Sequence, residues 1–318
     1  MLKLVSFLQK GNSKPQVGAL LGTNSVLDVG GELISKKLSM LDLISHKSSN
    51  QYIASIKERI ASKSFDSKRV YNLASVKICA PLIPQRNVFC IGKNYSDHIA
   101  EVNASHAKRN AEGTSSNTPA PVAVEGNQYP VWFTKAPQCV IGPHPDKIES
   151  HKNLTKWLDY EVELAIIIGK KGRDIPEEDA MSHIFGYTIG NDVTAREIQK
   201  RHIQWFKGKS LDNSCPLGPN VVPHSEMVAN GIDPGNLRVT TRVNGELRQD
   251  SRTSSLIFDI PTQISSLSAG FTLLPGDVIL TGTPSGVGFA MDPPQVLKPR
   301  DEVICAVEHI GELRNLIK

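Results

Sequence analysis

The run Leu158-Asp159-Tyr160-Glu161-Val162-Glu163-Leu164-Ala165 constrains the fold more than any other stretch, because acidic and apolar residues alternate in it with the period of a β-strand. Asp159, Glu161 and Glu163 fall on one face, and Tyr160, Val162, Leu164, Ile166 and Ile168 fall on the other. So apolar a back has to pack against a core. The front then carries carboxylates roughly 7 Å apart, whose repulsion is costly unless a cation lies between them. Downstream, Ile184-Phe185-Gly186-Tyr187-Thr188-Ile189-Gly190 reads as a second buried strand leading to a third carboxylate, Asp192. With no Cys or His near them, Glu161, Glu163 and Asp192 form a hard, all-oxygen set that favours Mg²⁺, Mn²⁺ or Ca²⁺ over Zn²⁺ or Cu²⁺, with Mg²⁺ the first choice. An exposed strand face with solvated acids is the competing reading.

The chain of 318 residues is long enough to bury a substantial core as one large or two modest domains. Charged residues make up 21% and the net charge is only +4, which gives neither a disorder signature nor the basic patch that nucleic-acid binding needs. The expected partner is a small molecule. The five cysteines are scattered and never form a C-x-x-C pair, so neither a disulfide framework nor a thiolate metal site is indicated. No stretch approaches the ~20 apolar residues of a membrane span, and the apolar run at the N-terminus is too short for a signal peptide. A soluble, cytoplasmic protein is expected.

Residues 1–80 read as a small β-rich domain, with strands over Lys3 to Leu8, Val17 to Leu21 and Ser25 to Val29, followed by a helix from about Ser39 to Ala61. The stiff connector Ala80-Pro81-Leu82-Ile83-Pro84 marks a boundary. From there to residue 318 turn signals at Asn244-Gly245 and Pro275-Gly276-Asp277 punctuate a β-rich pattern without a βαβα rhythm. An α+β fold built on a mixed or rolled sheet follows. Within it, residues 103–128 are rich in Ala, Ser, Asn, Gly and Pro and read as a flexible surface insertion.

Three further patterns carry chemistry. In Val88-Phe89-Cys90-Ile91-Gly92-Lys93-Asn94-Tyr95-Ser96-Asp97-His98-Ile99-Ala100-Glu101 an apolar strand turns at a glycine into a short helix, with Ser96 as N-cap and Asp97 in the first turn. His98 and Glu101 are then i, i+3 neighbours, so that the carboxylate can hold the imidazole as a base for water. Arg196 and Lys209 are candidate anion-binding groups. Gly208-Lys209-Ser210 is not a phosphate loop, because the first glycine of that motif would fall at Ile203. Finally, Pro275 to Gly288 delivers a strand into a glycine-rich loop whose amides and Thr283 hydroxyl can grip an oxyanion.

Together G-K-N-Y-S-D-H-I-A-E, D-Y-E-V-E-L-A, G-N-D-V-T-A-R, G-K-S-L-D, V-N-G-E-L-R-Q and P-G-D-V-I-L-T-G-T-P-S-G-V-G resemble, in order, the motifs of the fumarylacetoacetate hydrolase family in its long form with a small leading domain. The likeness spans about Lys77 to Leu313. It implies that Glu161, Glu163 and Asp192 bind Mg²⁺ or Mn²⁺, that His98 and Glu101 are a catalytic dyad on a lid-like helix, and that Lys209 is a catalytic or oxyanion-side lysine. It further implies that Lys135, Arg196 and Thr283 lie near a 2-oxo acid substrate and that the chain forms a homodimer. Hydrolysis of a C–C bond in an acylpyruvate-like 2,4-dioxo acid is the first expectation. Oxaloacetate keto–enol tautomerisation or decarboxylation is the alternative, and a non-catalytic metal-binding scaffold the distant one.

Overall fold

The computed structural model describes residues 1–30, 38–111 and 129–318. A large mixed sheet runs from the Val70–Asn72 edge through Ser25–Asp28, Gln16–Leu21 and Leu4–Gln9. It continues through Cys215–Pro223, Ile184–Asn191, Val162–Ile168, Val278–Leu280 and Val88–Gly92 to Val131–Lys135. The leading strands therefore join the rest of the sheet, through Leu4 opposite Val221. Glu226 reinforces this seam by accepting from the Leu2 amide and the Lys57 ammonium, each at 2.8 Å. A second sheet, with Glu246–Arg252, Arg238–Val243, Glu302–Val307, Gly311–Ile317 and Lys147–Ile148 in that order, completes the α+β fold.

The Val162–Ile168 strand lies between two cores. Val162, Leu164, Ile166 and Ile168 pack with Tyr187 of the neighbouring strand and with Val239, Val303, Cys305 and Leu313 of the second sheet. Ala165 and Ile167 pack on the opposite side with Leu4, Val17, Leu217 and the helical residues Leu43, Ile44, Ile53 and Ile56. Each such aliphatic side chain contributes about 1.5–3 kcal/mol on full burial. The expected alternation holds, but the face carrying Glu163 is buried as well, because helices cover it. A strand in the middle of a covered sheet has no solvent face.

Two local expectations change. The single helix expected over Ser39–Ala61 is two, Met40–Ser45 and Ser49–Ala61. Ser39 caps the first through a capping box with Asp42, and His46 ends it in an extended conformation. The His46 Nδ1 then accepts the Ser48 amide at 3.1 Å, a local bond that competes with helix continuation. The second helix of note spans Ser96–Ala111, so it continues past Asn103 into the segment expected to be irregular. Ala104, Ala107 and Lys108 supply the propensity for that extension. The rest of the expected insertion, residues 112–128, lies outside the described residues. Among the described residues no helix is long and apolar enough to cross a membrane.

Candidate active site

Strand pairing brings the acids together. Glu163 sits across from Gly190, and Val162 from Asn191. Beyond the last pair the Asp192 amide donates to the Glu161 carbonyl at 2.9 Å, and the Asn191 side chain accepts the Glu161 amide at 3.0 Å. Carboxylate oxygens of Glu161, Glu163 and Asp192 consequently all lie within 4.8 Å of one another. The three residues are 4%, 2% and 0% exposed, which removes the reading of a solvated acid face.

Asp159 does not join them. The strand is interrupted at Tyr160–Glu161, and Leu158–Asp159 pairs instead with Thr194–Ala195 as a separate ribbon. The Asp159 carboxylate accepts the amides of Gly288 and Phe289 at 2.8 and 3.1 Å and binds Arg196 at 2.9 Å. It fixes a loop rather than facing the cluster.

Cations are built into the same interior. Lys209 Nζ bridges Glu161 and Asp192 at 2.7 and 2.6 Å, Arg196 reaches Glu161 at 2.6 Å, and Lys135 reaches the other Asp192 oxygen at 2.8 Å. Lys135 also donates to the backbone carbonyls of Val193 and Lys209 and has no exposure. Arg196 stacks over the Phe289 ring at 4.3 Å and Lys209 over Phe133 at 5.0 Å, where cation–π attraction adds to the ion pairs. Burial pushes the Glu161 carboxyl up, but Lys209, Arg196 and the nearby His98 overcome this and hold it down at about 2. Burial and the charges of Asp192 and Glu161 instead push Glu163 well above the usual carboxylate range, despite Lys209 and the Gly282 amide. Burial disfavours the Lys209 ammonium, yet Asp192 and Glu161 leave its pKa raised.

Four buried carboxylates (Asp159, Glu161, Glu163, Asp192) thus face two buried lysines (Lys135, Lys209) and the nearly buried Arg196. Among the described residues Glu163 is the acid of the cluster without an ion-pair partner, in an oxygen-only donor set. Those residues fit a hard divalent cation such as Mg²⁺ or Mn²⁺.

Above the cluster, the Val88–Gly92 strand turns at Lys93, whose φ is 57°, into the Ser96–Ala111 helix. Ser96 is the first helical residue rather than the cap, and Asp97 occupies the first turn as expected. Asn94, a residue the sequence pattern did not flag, anchors this start by donating to the carbonyls of Phe258 and Thr281 at 3.0 and 2.8 Å and accepting the Phe258 amide at 2.8 Å. Gly282, with φ at 101°, is what lets the chain pass so close: a Cβ there would lie 2.8 Å from the Asn94 Cβ. His98 Nδ1 and Glu101 are 3.6 Å apart, too far for a hydrogen bond, and that buried nitrogen has no partner among the described residues. The Gly286 amide binds both Glu101 oxygens, at 3.0 and 3.1 Å. Thr283 Oγ accepts from Gln249 at 2.8 Å, and Gln249 also takes the Val162 amide at 3.1 Å. Gln249 was legible only as part of V-N-G-E-L-R-Q.

The family model described as Fumarylacetoacetate (FAA) hydrolase C-terminal matches residues 87–318. This chain belongs to the fumarylacetoacetate hydrolase family. It is 47% identical over 249 residues, 78% of this chain and 75% of the relative, to the oxaloacetate tautomerase YisK of Bacillus subtilis. Its fold is similar to the solved fumarylacetoacetate hydrolase of Exiguobacterium antarcticum, with a TM-score of 0.76 at 39% identity over 100% of this chain and 99% of that one. It is also similar to a 5-carboxymethyl-2-hydroxymuconate delta-isomerase of Mycobacterium smegmatis, with a TM-score of 0.69 at 30% identity over 99% and 98%. The tautomerase and isomerase among these relatives favour the alternative of oxaloacetate tautomerisation over acylpyruvate hydrolysis.

Proposed function

We propose that this chain is a divalent-metal-dependent oxaloacetate keto–enol tautomerase. The observation that carries the reading is its 47% identity to a tautomerase of that substrate, and the grouping of all six motifs around one buried acid cluster supports it. Glu161, Glu163 and Asp192 would hold the cation, which when bound supplies Lewis-acid polarisation of a substrate's 2-oxo oxygen. Lys209 and Arg196 hold Glu161 ionised. Lys135, spent on Asp192 and two carbonyls, acts by fixing that carboxylate rather than by touching substrate.

Tautomerisation moves one proton between the enol oxygen and C3, with no bond to water. His98 is the residue suited to carry it, because its imidazole stands beside the cluster, close enough to act on Glu161, and imidazole is the commonest general acid–base side chain. Glu101, held by the Gly286 amide 3.6 Å from His98 Nδ1, is the group placed to orient that ring once the pair closes on substrate. Thr283, whose oxygen accepts from Gln249 and whose own proton is left to donate, is the hydroxyl assigned to a substrate oxygen.

The test mixes Mg²⁺-supplemented protein with enol-oxaloacetate and, separately, with acetylpyruvate, following enol absorbance and pyruvate release. Accelerated loss of the enol without pyruvate is expected from oxaloacetate, and no cleavage of acetylpyruvate. Cleavage of acetylpyruvate with the enol left at its spontaneous rate returns the hydrolase reading, and pyruvate from oxaloacetate makes the chain a decarboxylase.

A further inference from the structure

The strands Arg238–Val243 and Glu246–Arg252 pair with Thr241 opposite Gln249 but Arg242 opposite Leu247. Arg248 is therefore the extra residue of a β-bulge, a device that re-aims a side chain beside a site. Its neighbour Gln249 reaches the Thr283 hydroxyl and the Pro284 carbonyl, so the bulge stands against the rim of the acid cluster. The Arg248 side chain is only 10% exposed, and its buried Nε has no hydrogen-bond partner. Nη1 donates to the Met291 thioether at 3.0 Å, a weak acceptor. Nη2 donates to Glu246 at 2.9 Å, whose side chain is 68% exposed. Such a surface pair is worth about 0–1 kcal/mol and can be displaced. A buried guanidinium this poorly paired is a costly feature unless an anion completes it.

The loop that holds the dyad lies directly on this residue. A Cβ at Gly286, whose φ is 95°, would stand 1.9 Å from the Arg248 carbonyl oxygen, and the Gly286 amide is the one that binds Glu101. The Tyr160 hydroxyl donates to the Gly286 carbonyl at 2.9 Å, and the charges of both Arg248 and Glu101 act on it. The cation thus stands on the dyad side of the site, with donors free.

We propose that Arg248 selects dicarboxylic 2-oxo acids by receiving the carboxylate at the far end of the substrate from its 2-oxo group. The assignment rests on the tautomerase reading, because oxaloacetate carries that second carboxylate. A planar fork with free donors suits it, through charge-assisted and in part bidentate bonds.

Calorimetric titration of Mg²⁺-loaded protein with two 2-oxo acids of equal chain length tests it: 3,3-difluoro-oxaloacetate, which has the distal carboxylate, and 2-oxobutyrate, which lacks it. Arg248→Met is expected to weaken the diacid by roughly 10- to 100-fold, the loss of a charged hydrogen-bonding partner, and to leave 2-oxobutyrate unchanged. Arg248→Lys, which keeps the charge but not the fork, should fall between and serves if the methionine variant does not fold. Equal weakening of both ligands assigns Arg248 to holding the Met291 loop and overturns the proposal, as does unchanged diacid binding. A wild-type protein that binds neither acid with Mg²⁺ present sinks the tautomerase reading itself, and the Arg248 assignment with it.

Discussion

The acid cluster and the dyad helix meet at one site but are held by different physics. Glu161, Glu163 and Asp192 hang from paired strands and sit at 4% exposure or less, and Glu161 and Asp192 are locked to Lys135, Lys209 and Arg196. His98 and Glu101 have side chains 12% and 23% exposed. Their helix is tied to the residue 285–292 loop by side chains: Asp97 to Ser285, Glu101 to Gly286 and Lys108 to Asp292. Core burial and buried charge fix the first, while near-surface hydrogen bonds fix the second. Damage to the cluster should therefore register as lost stability as well as lost binding, whereas damage to the helix should register as lost rate with the global stability kept.

The largest effect is expected from Asp192→Ala. It leaves Lys135 and Lys209 buried without a shared counter-ion, and breaking a buried pair in this way costs about 3–5 kcal/mol. Urea unfolding should show that loss, and calorimetry should show Mg²⁺ binding abolished. A variant of unchanged stability would mean that the cluster is no more built into the core than the helix is, and the comparison would collapse.

His98→Ala is expected to sharpen it from the other side. Removing a general acid–base should lower the tautomerase rate by a factor on the order of 10² or more, while unfolding free energy stays within about 0.5 kcal/mol and Mg²⁺ affinity is retained, because the ring's buried Nδ1 makes no hydrogen bond to the described residues. Stopped-flow enol decay and the same urea titration check the two halves. A stability loss of the size seen for Asp192→Ala would show the helix to be structural.

The sequence made the cluster legible because its two glutamates share a strand with period two and Asp192 follows a second apolar strand. Period alone could not say where that strand breaks, so Asp159 read as a cluster neighbour although it binds a loop. Nor could alternation reveal that helices bury the acid face, which depends on contacts far apart in the chain. Lys135 and Lys209 were visible as cations, but which carboxylate each one neutralises is set by tertiary packing. The dyad spacing was legible from one helical turn, yet the Gly286 amide that holds Glu101 lies 185 residues away. The Arg248 bulge is a register feature of a strand pair, and no local pattern announces it.

The smallest effect is expected from Ser285→Ala, and it separates the two regions most finely. Ser285 donates to the Asp97 carboxylate at 2.8 Å in an exposed position, and Asp97 itself stands in the first helical turn, where its charge favours the helix dipole. Deleting the hydroxyl leaves that charge and removes one tie, which is worth about 0.5–1.5 kcal/mol for an ordinary hydrogen bond. The helix retains the Asn94 anchor and the Gly286 tie, so it should open more often without dissolving. Amide hydrogen exchange is the measurement: residues 98–105 should lose protection by up to about tenfold, while Val162–Ile168 exchanges as in the wild type, because local opening of one element leaves the global core untouched. Faster exchange in both regions would mean that helix and cluster open as one cooperative unit, and that the carboxylates are held in part from above.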